Sequence, residues 1–392
     1  MEHTGTPIGE GQRLQWIDAA RGLAIFGIFM VNVPAYNAPF FQYGGEKAYW
    51  DNPADHFVQN MIDIFFQASF YTLFSFLFGF GMQIMMERLA EKRLHPQRVI
   101  FRRLIVLTGF GLVHAFFIWH GDILLSYGLI GMLLFFFFKR KDKTILLWSV
   151  LLLVIPVLLF TWLLFLVREY GMAVDQQAIY QAMHSYGEGT YGEILKQNYQ
   201  DWIYVNGGIN YLFLAINLLP LFLLGILAAR KKWLHDITLH LSFLKKVWAV
   251  TAVVFAVCKA GPYLLGNPEW LSIFQDSIGG SASALFYVST VTLLYQKESW
   301  RKILRPLTYV GRMSLTNYLL QSVVCFFLFY SIGLGLYGEV RPVYSVLIVL
   351  IIFCLQVAAS KVWFKHYRFG PVEGLWRTLT YGRMQKMRKA RE

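Results

Sequence analysis

The stretch "GLVHAFFIWHGDILLSYGLIG", residues 111–131, sets His114, His120 and Asp122 among apolar and aromatic neighbours. Imidazole titrates near neutral pH and a carboxylate can fix its tautomer, so this trio could supply a general base. Asn32 could donate to a developing oxyanion, and Asp63 offers a second carboxylate to orient the imidazole. Arg13, Arg21, Arg102, Arg103 and Arg312 could hold phosphates through their forked guanidinium groups. Each residue also has a plainer use. His114 could be a neutral core histidine, Asp122 a helix N-cap, Arg21 a membrane anchor and Asn32 an interhelical hydrogen bond.

The elements that carry these residues follow from composition. Of 392 residues, 56% are hydrophobic, 17% aromatic and only 15% charged, which no soluble domain of this length could hide. Apolar runs of about 18 to 25 residues match a hydrocarbon core about 30 Å thick at about 1.5 Å per helical residue. The chain is therefore expected to be all-α and polytopic. About ten spans are expected, at 18–37, 57–86, 100–119, 122–138, 144–167, 207–229, 246–265, 278–296, 308–332 and 342–364. Cys258, Cys325 and Cys354 lie in apolar runs without pairing or metal spacing, so neither a disulfide framework nor a metal site is expected. No cleavable signal peptide is expected ahead of the first run.

Charge sets the orientation. Basic clusters fall at Arg88 to Arg103, Lys139 to Lys143, Arg230 to Lys246, Lys297 to Arg305 and from Lys361 onward. The intervening loops hold only Lys47, Arg168, Lys196 and Arg341 of 36 basic residues, so both termini are expected in the cytoplasm. The net charge of +13 is then an orientation signal, and no nucleic-acid partner is expected. The outer segment 168–206 is expected to form a small lid. Residues 366–392 read as a basic tail that favours anionic headgroups, and the whole chain as a single membrane domain. Membrane lipids are expected partners, with a homodimer among the open oligomeric states.

Polar residues recur in stripes within these spans. Asp18 and Arg21 are three apart and Asn32 lies eleven beyond Arg21, which puts all three on one helix face over about 16 Å. His114 likewise lies eleven residues after Arg103, at a depth close to that of Asn32. Asp63 and Gln67 point toward the same level from the second span. His120 is expected at the exposed outer rim, and Lys259 is expected to snorkel. Ser314, Asn317 and Gln321 form a further stripe beginning beside Arg312, where amides commonly join helices.

These segments, with "WIDAARGLAIFGIFMVN", "TLFSFLFGFGM", "VGRMSLTNYLLQSVVC" and "RFGPVEGLWRTLTYG", resemble the YeiB-like family of bacterial membrane proteins, domain of unknown function 418. The resemblance runs over nearly the whole chain. It implies a wider kinship, since the family looks similar to the transmembrane acyltransferases, which take acyl-CoA from the cytoplasm and move the acyl group to an acceptor on the far side. Asp18, Arg21, Gly22 and Asn32 match that pattern directly, and His114 by depth.

The expected function is therefore an acyltransferase of the bacterial cytoplasmic membrane. It would use acyl-CoA, acetyl-CoA first, and acylate an extracytoplasmic or lipid acceptor. His114, Asn32, Asp63 and Asp122 would act in catalysis and the five arginines would hold the donor, with Asp18, His120, Asn317 and Gln321 as further site residues. The alternative is a transporter or flippase, in which the same polar stripes would line a path and His114 with Asp63 would relay protons.

Overall fold

Backbone N–H and C=O groups find no water in hydrocarbon, so a chain this apolar can cross only as helices or a closed barrel. The computed structural model describes residues 13–170 and 174–389, and these form helices with no strand among them. Eight helical stretches are long and apolar enough to span a membrane, and two shorter apolar helices accompany them. We number the elements α1 Gln15–Asn37, α2 Pro53–Phe65, α3 Ser69–Glu91, α4 Pro96–Phe117, α5 Leu124–Phe136 and α6 Asp142–Leu166. There follow α7 Gln176–Gly187, α8 Tyr191–Asn206, α9 Ile209–Arg230, α10 Ile237–Leu264 and α11 Glu269–Tyr295. The chain ends with α12 Glu298–Arg312, α13 Ser314–Phe329, α14 Pro342–His366 and α15 Pro371–Tyr381. An all-α polytopic membrane protein is thus what the apolar runs encode.

Two expected spans are broken. The second stops at Phe65 and resumes at Ser69, with Ala68 in the left-handed region at φ 60°. The Thr72 hydroxyl lies within hydrogen-bond reach of the carbonyls of Ala68, Ser69 and Gly280, so polar groups near the break find partners. The ninth stops at Arg312, leaves Met313 non-helical and restarts at Ser314. There Glu373 accepts from the N–H groups of Leu315 and Thr316, at 2.8 and 3.1 Å, and from the Thr316 hydroxyl. The C-terminal α15 therefore caps α13, and this end of the chain packs on α4 and α13 instead of trailing as a free tail. Residues 390–392 lie outside the described residues.

The bundle closes through small residues. A Cβ on Gly22 would strike the carbonyl of Leu307 and one on Gly311 the carbonyl of Asp18, so α1 and α12 approach at a distance only glycine permits. Outward faces are apolar instead: Leu147, Ile155, Leu158 and Trp162 on α6, and Leu347, Ile351 and Leu355 on α14, are exposed. Such a belt suits hydrocarbon. In the segment 168–206, Asp175 caps α7 and a Thr190–Glu193 capping box starts α8; residues 171–173 lie outside the described residues.

Orientation rests on the charge alternation and is open to a direct check. In a cysteine-free background, cysteine in place of Glu188 should react with an impermeant thiol reagent on intact cells, whereas cysteine in place of Lys141 should not. Labelling at position 141 from outside would invert the topology.

Candidate functional site

The turn Trp119–Ile123 joins α4 to α5 and gathers partners from both sides. His114 sits in the last turn of α4 with 1% of its surface exposed. Its Nδ1 lies 2.7 Å from Oδ1 of Asp122, and Oδ2 of Asp122 accepts the N–H of Leu125 at 2.7 Å. Asp122 thereby does two jobs that the sequence left as alternatives: it satisfies the first turn of α5 and it orients the imidazole. A carboxylate at Nδ1 assigns the proton to that nitrogen, leaving Nε2 with a free lone pair. Nε2 is buried and has no hydrogen-bond partner among the described residues. A buried polar atom left in this state calls for an explanation, and a reacting proton is one.

A cavity of about 80 Å³ is walled by Asn32, Phe66, Tyr71 and Tyr318 and by Gly121 and Ile123, the chain neighbours of Asp122, while His114 and Asp122 themselves are not among its walls. Its size suits a few waters or a short acyl group. Tyr318 also packs against His114, with ring centroids 5.2 Å apart, so one side chain touches both the imidazole and the cavity. Trp119 stacks on Tyr36 at 3.9 Å, and the Tyr36 hydroxyl reaches Ser322 on α13. Thus α1, α4 and α13 are fastened together at the level of Asn32.

Other expected residues lie elsewhere. Asp63 does not meet His114; this corrects the expected convergence. Its Oδ2 accepts from the Tyr263 hydroxyl at 2.6 Å and from Gln275 Nε2 at 2.9 Å, and its Oδ1 stands 3.6 Å from the Lys259 ammonium. Lys259 does not snorkel but is fully buried, paired with Asp276 at 2.9 Å. Both Lys259 and Asp276 sit on π-helical turns, Ala256–Ala260 and Gln275–Gly279, whose widened backbone sets the two side chains face to face. Asn317 and Gln321 bridge α13 to α14, through Asn317 to Ser360 at 3.2 Å and Gln321 to Gln356 at 2.9 Å, and act as helix glue.

His120 is also corrected, from exposed rim to a buried position. Its Nδ1 is 3.3 Å from the Tyr186 hydroxyl on α7 and 3.6 Å from Asp201 on α8. Asp201 in turn accepts from Tyr43, Gln197 and Tyr186 at 2.6 to 2.7 Å. This network docks the outer helix pair onto the turn that carries Asp122. Burial pushes the His120 imidazole below its ordinary value, with Asp201 opposing in part. The docked state therefore holds His120 neutral, while the undocked state takes up a proton below about pH 6.5. Docking should be at full strength above that pH and weaken as pH falls through it. Protection of α7 and α8 amides from hydrogen exchange, corrected for the intrinsic pH dependence of amide exchange, should fall on acidification, and His120→Gln should remove that fall; protection that is flat with pH in the wild type would exclude this lock.

At the basic end of the bundle, Asp18 binds Arg13 through two contacts of 3.0 and 3.1 Å and stands 3.6 Å from Arg21. Arg103 lies 3.5 Å over the ring of Trp376, and Arg312 lies 4.1 Å over Phe364. Arg102 lies against Gly382, which ends α15. Tyr318, Asp201 and Arg377 escaped the sequence reading. Tyr318 adjoins Asn317 without any polar pattern of its own, Asp201 is one acidic residue among several outside, and Arg377 is hidden in a basic tail.

With that geometry in hand, comparison places the chain among known sequences. Residues 228–383 match the family described as "Protein of unknown function (DUF418)". The chain is 38% identical to the "Uncharacterized protein YxaH" of Bacillus subtilis (strain 168), over 98% of both chains. It is 27% identical to the "Uncharacterized protein YeiB" of Escherichia coli (strain K12), over 93% of this chain and 95% of that one. No solved structure matches.

Proposed function

We propose that this chain, which belongs to the DUF418 family of YeiB-like membrane proteins, is an acyltransferase of the bacterial cytoplasmic membrane, passing an acyl group from acyl-CoA to a hydroxyl or amine acceptor. The observation that carries this reading is the unpartnered, buried Nε2 of His114, on a ring oriented by Asp122 and packed on Tyr318, which with Asn32 walls a cavity. In the reaction, Nε2 accepts the acceptor's proton as its oxygen or nitrogen attacks the thioester carbonyl. The Asn32 amide donates to the oxyanion that forms, and Asp122 stabilises the imidazolium. Collapse breaks the carbon–sulfur bond, and the departing thiolate takes the proton from Nε2. Asp18 holds Arg13 and stands close to Arg21, at the end of α1 from which the donor's phosphates would approach, and Arg103 is near enough to Arg21 for their charges to interact.

The cavity volume favours short acyl chains, acetyl first. Purified protein incubated with acetyl-CoA labelled in the acetyl group, together with a membrane extract as acceptor source, should move label into the extract. Absence of transfer across hydroxyl and amine acceptors would favour the second reading, a transporter or flippase. That reading draws on the ion set of Lys259, Asp63 and Asp276, since ionisable groups at membrane depth commonly mark transport paths.

A further inference from the structure

Two arginines at the basic end are half-buried and make no ion pair among the described residues, Glu373 acting on both only at a distance. The Arg103 guanidinium lies over Trp376, whose indole N–H donates to the Arg103 carbonyl at 3.0 Å. Arg377 lies 4.3 Å over the ring of Phe369. Neither makes an ion pair among the described residues. Arg21 and Arg103 stand close enough to Arg377 for their charges to repel. The carboxylates at hand are committed elsewhere. Asp18 is held by Arg13, and Glu373 caps the first turn of α13. Burial pushes the Arg377 guanidinium down from its ordinary value; Tyr381 and Glu373 oppose the shift, and Arg13 and Arg21 add to it.

Four guanidinium groups, of Arg13, Arg21, Arg103 and Arg377, thus share two carboxylates, an excess of two positive charges in a partly desolvated place. Holding like charges together there is costly unless an anion joins them. Aromatic rings cover the flat faces of Arg103 and Arg377 and leave the N–H edges for a ligand. A phosphate monoester carries about two negative charges and three free oxygens, and a diester one charge and two, and either can accept from a pair of guanidinium forks. We propose that Arg103 and Arg377, backed by Arg21, form a phosphate-binding site completed by the C-terminal helix α15. The phosphate belongs either to a soluble ligand such as coenzyme A or to the headgroup of an anionic phospholipid. The site deepens the acyl-donor reading where the ligand is coenzyme A, and it rests on binding alone.

The full chain in phosphatidylcholine nanodiscs would be titrated with coenzyme A and with inorganic pyrophosphate, and matched discs containing phosphatidylglycerol would be examined for lipid retained on the protein. Coenzyme A should bind, and Arg377→Ala should weaken it about 10- to 100-fold, as expected for a lost charge-assisted hydrogen bond of about 1.5–3 kcal/mol. Arg377→Lys should recover only part, since an ammonium lacks the fork. If the source is lipid, the soluble phosphates fail to bind, and retained phosphatidylglycerol falls in Arg377→Ala. Arg103→Gln read the same way guards against a folding defect in one variant. Folded Arg377→Ala and Arg103→Gln that match the wild type toward every phosphate would overturn the site. Acyl transfer together with phosphate and lipid binding indifferent to Arg377 and Arg103 overturns this site and spares the acyltransferase reading; phosphate binding that depends on Arg377, without acyl transfer, does the reverse.

Discussion

Replacing His114 with alanine should lower acyl transfer by about 10²- to 10⁴-fold, the usual loss when a general base is removed, while coenzyme A binding stays near the wild-type level. The split between rate and binding follows from position. His114 lies at the far end of α4 from Arg103, and the residues that receive phosphates are not those that take the proton. Asp122→Asn is the sharper companion. An amide in place of the carboxylate can still cap the first turn of α5, but it offers no negative charge to the imidazolium and can donate to Nδ1, which moves the ring proton to Nε2. Asp122→Asn should therefore keep the fold and lose most of the rate. A purely structural dyad gives the opposite pattern, with lost stability and intact turnover per folded molecule. Near-normal turnover by folded His114→Ala would move the base elsewhere and remove the observation on which the acyltransferase reading stands.

The spans were legible because hydrocarbon imposes one solution on an apolar backbone, and length and composition alone report it. The breaks at Phe66–Ala68 and Met313 were not. Polar residues flank both breaks, Gln67 and Ser69 at one and Arg312 and Ser314 at the other, but nothing in them marks a helix end, and the distant partners that make the breaks tolerable, Gly280 in one case and Glu373 in the other, lie 208 and 58 residues from the groups they meet. Depth was legible too, since counting residues along a helix fixes its rise. Depth does not fix the direction a side chain faces around the bundle, which is why Asp63 was drawn toward His114 when its partners are Lys259, Tyr263 and Gln275. Asp122 was legible because it is joined to His114 by a short turn, and a local constraint leaves few places for its carboxylate. His120 shares that turn, yet its burial depends on α7 and α8, whose docking no local pattern announces.

Removing the Lys259 ammonium should have the largest effect on stability. Lys259→Met keeps the length of the side chain and its apolar stem, so packing against Gly279 and Cys258 changes little, but Asp63 and Asp276 are left facing each other without a cation. Breaking one partner out of a buried ion pair costs about 3–5 kcal/mol because the remaining charge is stranded. Here the carboxylate side chains are 29% and 35% exposed, so water screens part of that penalty and a loss of about 2–3 kcal/mol is the sounder expectation. The sign of the cause can be read from a combination. Adding Asp63→Asn and Asp276→Asn to Lys259→Met removes the stranded charges, and the triple variant should regain most of the stability, as measured by thermal unfolding in detergent. If Lys259→Met alone unfolds like the wild type, the ammonium carries no structural weight. A triple variant no more stable than Lys259→Met would mean that lost packing around the π-helical turns, not charge, explains the single change.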